Sequence, residues 1–194
     1  MRTIVPLLAL LITGRVALAA EAVSFPGHDQ AIAPQGRYAI VYRELYPTPG
    51  PNHQILLKDL QTGSGTPLLS FDRHADVLWA PDGDCVAITD WVGSNVSELF
   101  LVFPARSAKR VDLQEETHRS FGDMPIIQQN DHVYFEAVRW HDAKTLCFKV
   151  WGHGDYSPKP FEEFFLYTLG GNVSRGCGPN NASQPTPREG AAER

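Results

Sequence analysis

Trp79-Ala80-Pro81-Asp82-Gly83, followed at once by Asp84-Cys85-Val86-Ala87-Ile88-Thr89, is the stretch on which the fold turns. Pro81 presets φ near −65°, the Asp82 carboxylate suits a bond to its own backbone, and Gly83 accepts positive φ. Five such residues between apolar runs spell a tight turn joining two antiparallel strands. The same order returns on either side. Ala33-Pro34-Gln35-Gly36 precedes Arg37-Tyr38-Ala39-Ile40-Val41-Tyr42, and Trp140-His141-Asp142-Ala143-Lys144 precedes Thr145-Leu146-Cys147-Phe148-Lys149-Val150-Trp151.

Each copy continues on one plan. A loop follows the second strand (43–53, 92–97 and 152–163), then a third strand: Ile55-Leu56-Leu57-Lys58, Leu99-Phe100-Leu101-Val102-Phe103 and Phe164-Phe165-Leu166-Tyr167. Pro67-Leu68-Leu69, Arg110-Val111-Asp112-Leu113 and Asn172-Val173-Ser174 close the units as fourth strands. The central strands are nearly continuous apolar runs, which belong to sheets covered on both faces. Beyond the first twenty residues no helical periodicity persists for more than about ten residues.

Trp79-Ala80-Pro81-Asp82-Gly83 resembles the turn that precedes a strand in each blade of TolB-type β-propellers; Ala33-Pro34-Gln35-Gly36 matches it in part and Trp140-His141-Asp142-Ala143 loosely. The resemblance covers residues 28–176. It implies an all-β fold, a propeller-like array of about three four-stranded antiparallel blades. A β-sandwich with a good hairpin turn is the alternative architecture. Blades of this type serve periplasmic assembly factors and the regulatory propellers of prolyl peptidases alike, so the resemblance implies architecture and leaves activity open. Closed propellers use about four to eight blades. Three leave sheet faces and edges exposed, and the expectation is that a partner protein or a second copy covers them, two chains joining as three plus three in a homodimer through a symmetric contact.

The first segment reads as an address. Met1-Arg2 is a short basic start, residues 3–14 are apolar, and Val16-Ala17-Leu18-Ala19-Ala20 supplies small residues, the order of a secretory signal peptide over residues 1–20. Pro6 and Arg15 leave the apolar run short of the roughly twenty residues a membrane span needs. The expected organisation is a leader at 1–20, a propeller-like domain at 21–176 and a disordered Gly/Pro/Asn/Ser-rich tail at 177–194, in a secreted or periplasmic chain with no membrane attachment once the leader is removed. Export permits disulfides. Of the three cysteines, Cys85 and Cys147 lie in apolar runs and are read as small buried hydrophobes, with the pairing of Cys85, Cys147 and Cys177 left open. Asn95, Asn172 and Asn181 open glycosylation sequons.

Charge and motifs narrow the chemistry. The net charge is −5, and the densest basic run, Arg106-Ser107-Ala108-Lys109-Arg110, is soon followed by Asp112, Glu115 and Glu116, so nucleic acid is not an expected partner. There is no Gly-x-Ser-x-Gly elbow and no Ser-x-x-Lys. None of the seven histidines has the i,i+4 spacing of a helical metal pair, and Asp82-Gly83-Asp84 is not completed into a calcium loop. No cofactor and no metal are expected.

What remains is a loop face. The loops after the second strands carry Glu44, Tyr46, Asp90, Trp91, Trp151, His153, Asp155, Tyr156 and Phe161, and the links between units carry His74, Asp76 and His118. Aromatic rings interleaved with carboxylates suit protein or glycan contacts, because rings supply area at low entropy cost and carboxylates fix orientation. Tyr46, Asp90, Trp91, Trp151, His153, Asp155, Tyr156 and Phe161 are therefore the candidate ligand-binding residues. The expected role is a non-catalytic binding module. The rivals are a small secreted enzyme using His153 with the acids of this face on polysaccharide or peptide, and an inhibitor or immunity-like protein that inserts the 152–163 loop.

Overall fold

The computed structural model describes residues 21–45, 50–154 and 159–178. The expected leader (1–20) and most of the expected tail (179–194) lie outside the described residues. A short strand, β1 (Val23–Phe25), opens the fold. Three four-stranded units follow: unit 1 with β2 (Gln30–Ile32), β3 (Tyr38–Glu44), β4 (His53–Asp59) and β5 (Gly65–Phe71), then unit 2 with β6 (Ala75–Trp79), β7 (Val86–Asp90), β8 (Val96–Phe103) and β9 (Lys109–Asp112). Two short helices, α1 (Leu113–Phe121) and α2 (Pro125–Gln128), lead to unit 3 with β10 (His132–Trp140), β11 (Thr145–His153), β12 (Phe161–Thr168) and β13 (Val173–Arg175). Within each unit successive strands pair antiparallel, which makes the fold all-β and propeller-like.

The three turns do what their residues dictate. Ala33 N–H donates to Tyr38 O (2.8 Å) and Gly36 N–H to Ala33 O (2.8 Å); Ala80 N–H donates to Cys85 O (2.9 Å) and Gly83 N–H to Ala80 O (2.9 Å). Gly36 and Gly83 share φ +71°. The third turn is one residue shorter, His141 N–H reaching Thr145 O (2.8 Å). In units 2 and 3 an aspartate braces the turn, Asp82 accepting Asp84 N–H (3.1 Å) and Asp142 accepting Lys144 N–H (2.7 Å).

The tryptophans ahead of these turns stitch the units together. Trp79 Nε1 donates to Ala31 O in unit 1 (3.0 Å), and Trp140 Nε1 donates to Leu78 O in unit 2 (3.1 Å). Donor and acceptor hold equivalent places each time: the residue before a turn reaches the carbonyl two residues before the turn of the preceding unit. Two cores result. Val86, Ile88, Phe100 and Val102 of unit 2 pack with Ile40, Ile55 and Leu57 of unit 1, while Cys85, Ala87, Leu99 and Leu101 pack with Phe135, Phe148 and Phe165 of unit 3. Strand β7, sandwiched between the cores, is buried at every position. In β4 only Ile55 and Leu57, the residues facing unit 2, are buried, because no described unit packs on the other side.

Three features depart from the sequence reading. Strand β1 pairs with β6 through Val23↔Val77, Ser24↔Asp76 and Phe25↔Ala75, so residues 23–25 fill the free edge of the central unit. The link after β9 is helical: Asp112 caps α1 by accepting Gln114 N–H (2.8 Å) and Glu115 N–H (3.2 Å), and Gly122, at φ +67°, ends it. Nine residues show too little apolar repetition for that helix to be read in advance. Cys147 is not a free thiol; it is disulfide-bonded to Cys177, and Cys85 is the buried free cysteine. Residues 176–178 form a strap across unit 3, with Gly176 N–H bonded to Phe164 O (2.9 Å) and Arg139 Nη2 donating to Cys177 O (3.0 Å).

Candidate functional site

The site is assembled where units 2 and 3 meet at their loop ends. Strands β8 and β10 pair there in parallel over two positions, Val96↔Val133 and Ser97↔Tyr134. The junction is sealed by Ser97 Oγ donating to Phe135 O (2.8 Å), Val133 N–H to Asn95 O (3.0 Å) and Tyr134 Oη to Ser94 O (2.6 Å). A buried hydroxyl that meets a carbonyl of the neighbouring strand removes two polar groups from the desolvation penalty.

Four rings line up on this junction. The His74 imidazole stacks on Trp91 (5.1 Å between centroids), Trp91 leans on Tyr134 (5.9 Å) and Trp151 (6.3 Å), and Tyr134 stacks on Trp151 (4.4 Å). Each indole N–H is tied to a carboxylate. Trp91 Nε1 donates to Asp76 Oδ2 (2.7 Å), and Ser24 Oγ of β1 donates to the other oxygen of Asp76. Trp151 Nε1 donates to Glu136 Oε2 (2.9 Å); Lys149 Nζ lies 3.2 Å from the same oxygen and 5.3 Å from the centre of the Trp151 ring. Both indoles are half-buried and held by charge-assisted bonds, so their orientation is fixed.

Beside this row the His132 and His153 rings stack at 4.2 Å. Tyr134 gives its hydroxyl proton to Ser94 O, which assigns the proton in the 3.3 Å contact between Tyr134 Oη and His132 Nδ1 to the imidazole. Gly152 lies directly opposite Val133, and a Cβ there would collide with the carbonyl of His132. This glycine is needed for close approach of two strands, not for loop freedom.

Of the residues the sequence singled out, the structure brings Trp91, Trp151 and His153 to one place. Phe161 is half-buried and packs against the core between units 2 and 3. Asp90 does not face the site. It is 6% exposed and shares the side of β7 that carries Val86 and Ile88 toward unit 1. There burial, with Glu98 directly opposite, pushes its carboxyl up to about 6 against a partial offset from Arg110, and its Oδ1 has no partner among the described residues. Tyr46, Asp155 and Tyr156 lie outside the described residues. His118 stands apart on α1, 3.2 Å from Asp123.

Tyr134, His132, Glu136 and Lys149 are site residues that reading the loops alone misses, since they sit within strands. Their signal was alternation, His132, Tyr134 and Glu136 sharing one face of β10. Among the described residues no three His, Cys, Asp or Glu side chains converge as a metal site would require. Away from the rings, a concavity of about 590 Å³ runs between α1 and α2 over Phe135, Met124 and Ile127. Of the charged groups on its rim, His118 is paired with Asp123 and Arg119 with Glu116.

No protein-family model matches the chain, and no curated protein matches it. Among solved structures it is similar to dipeptidyl peptidase 4 of Porphyromonas gingivalis (TM-score 0.47, 13% identity), over 77% of this chain and 25% of that one. It is also similar to TolB of Acinetobacter baumannii (TM-score 0.40, 17% identity), over 84% of this chain and 33% of that one. The chain thus spans a third or less of the length of either.

Proposed function

We propose that the chain is an exported, non-catalytic binding module that contacts a protein or glycan through the half-buried rings of His74, Trp91 and Trp151, backed by the buried Tyr134. We read its three units as blades of the TolB type, on the repeated turns and the repeated tryptophan donors. The disulfide is compatible with a secreted or periplasmic location. One observation carries the reading: Trp91 and Trp151, from different units, meet at 6.3 Å with their indole N–H groups already bound inside the fold. Their polar atoms need nothing from a ligand, and what they offer is fixed apolar area, the property of a preorganised contact surface.

The test is a glycan array and a peptide array probed with the purified protein and with Trp151→Ala. A ligand retained by the wild type and weakened about tenfold or more by the variant, in line with the cost of losing an aromatic anchor, supports the reading. A ligand bound equally by both sinks it. Hydrolysis of an array ligand, abolished by His153→Ala, would instead make the chain an enzyme.

A further inference from the structure

We propose that the groove between units 2 and 3 at the turn ends of their strands binds an α-amino acid with an apolar side chain, held at both its ammonium and its carboxylate. The β6–β7, β10–β11 and β12–β13 turns, with the 3-10 turn Pro104–Arg106 that follows β8, border a cavity of about 500 Å³ there, within the size range of small-molecule sites. Strand β8 runs its whole length from the ring junction at Val96 and Ser97 to this cavity at Phe103. The groove is therefore a separate site from the rings.

Charges of both signs stand on its walls. Asp82 and Asp84 come from the β6–β7 turn, Lys144 from the β10–β11 turn and Arg106 from the 3-10 turn. Among the described residues none of the four is in an ion pair. Two are oriented from within the fold: Asp82 Oδ1 accepts Asp84 N–H (3.1 Å), which leaves Oδ2 for a ligand, and the Arg106 guanidinium lies over the Phe103 ring, 5.4 Å from its centre. After Arg106 the chain passes through two successive left-handed residues that are not glycine, Ser107 (φ +54°) and Ala108 (φ +56°). Such a pair is costly and persists where packing enforces it, and Ala108 is packed against the core between units 1 and 2. The charges also act together on the buried Cys85 thiol: burial, Asp82 and Asp84 push it up, and Arg106 pulls it down.

The balance of charge selects the ligand. Two acids and two bases cancel, so a phosphate, a dicarboxylate or a diamine meets as much repulsion as attraction, whereas a zwitterion turns each end to the opposite sign. The ammonium goes to Asp82 and Asp84 and the carboxylate to Arg106 and Lys144, through charge-assisted hydrogen bonds. Phe103 and Leu169, half-buried and packed against the core between units 2 and 3, give the cavity an apolar wall that would take an apolar side chain out of water. An apolar α-amino acid is the smallest molecule that carries all three features.

Protein expressed from the full-length gene in an exporting host is titrated by isothermal calorimetry with L-phenylalanine, its amide and its N-acetyl derivative. The free amino acid is expected to bind, and blocking either end is expected to weaken binding about tenfold or more. Arg106→Gln, with unchanged circular dichroism, is expected to bind the free amino acid about tenfold more weakly and to lose its preference over the amide. Asp84→Asn is expected to lose the preference over the N-acetyl derivative in the same way. Should Arg106→Gln lose its fold, Lys144→Gln, at an exposed position, is expected to narrow the preference over the amide in its place. No heat from L-phenylalanine at millimolar concentration, a blocked form bound as tightly as the free one, or folded variants that bind as the wild type does would each overturn the proposal.

Discussion

Asp90 is the clearest case of a residue whose environment sets its chemistry. Its carboxyl sits at the end of a fully buried strand, opposite Glu98, and holds its proton up to about pH 6 instead of the ordinary 3.8. The folded state then binds a proton that the unfolded chain releases, so this contribution to stability is complete below about pH 4 and is lost as pH rises through 6. The shift corresponds to at most about 3 kcal/mol. Asp90→Asn is expected to be more stable than the wild type at pH 7.5 and to lose that advantage at pH 4, measured by urea denaturation at both values. Gly152 makes the converse point. Gly152→Ala would drive a methyl group into the His132 carbonyl and is expected to lower the melting temperature by several degrees, about 1–3 kcal/mol of backbone and packing strain, read by thermal scanning. Chain position alone placed Asp90 on the loop face; the parity of β7, visible only once its start at Val86 is known, turns it away.

The elements divide into those that composition specified and those that geometry decided. Pro81, Asp82 and Gly83 specify their turn whatever surrounds it, and the strands on either side were legible for the same reason. Trp79→Phe and Trp140→Phe are each expected to cost about 1 kcal/mol, because each deletes the indole donor of a second bond to a carbonyl, Ala31 or Leu78, that keeps its strand partner. Equilibrium denaturation of the two variants checks both. The aromatic row was only half legible. A register carried back from the turn at Trp140 sets Tyr134 opposite Gly152, but a bulge between Ala137 and Arg139 shifts the pairing by one, so that Tyr134 meets Trp151 and His132 meets His153. A one-residue slip changes which side chains meet, and nothing in the residues 137–139 announces it.

At the scale of the molecule, three similar units become one structure through features that do not repeat: β1 on the edge of β6, two helices between units 2 and 3, and a disulfide-tied strap. Composition marked Cys177 as part of a tail; its partner, thirty residues away, draws it onto the sheet. Closing a loop of that length is worth about 3–4 kcal/mol, and Cys147→Ser is expected to lower stability by that order in denaturant titration. Cys85, whose thiol burial pushes far up, should resist maleimide until the chain unfolds. In the proposed function, binding resides where units 2 and 3 meet. Hydrogen–deuterium exchange of the protein, free and saturated with the strongest ligand from the arrays, tests it most directly. New protection is predicted in residues 91–97, 132–136 and 149–153; protection confined to α1 and α2, or to unit 1, would contradict it.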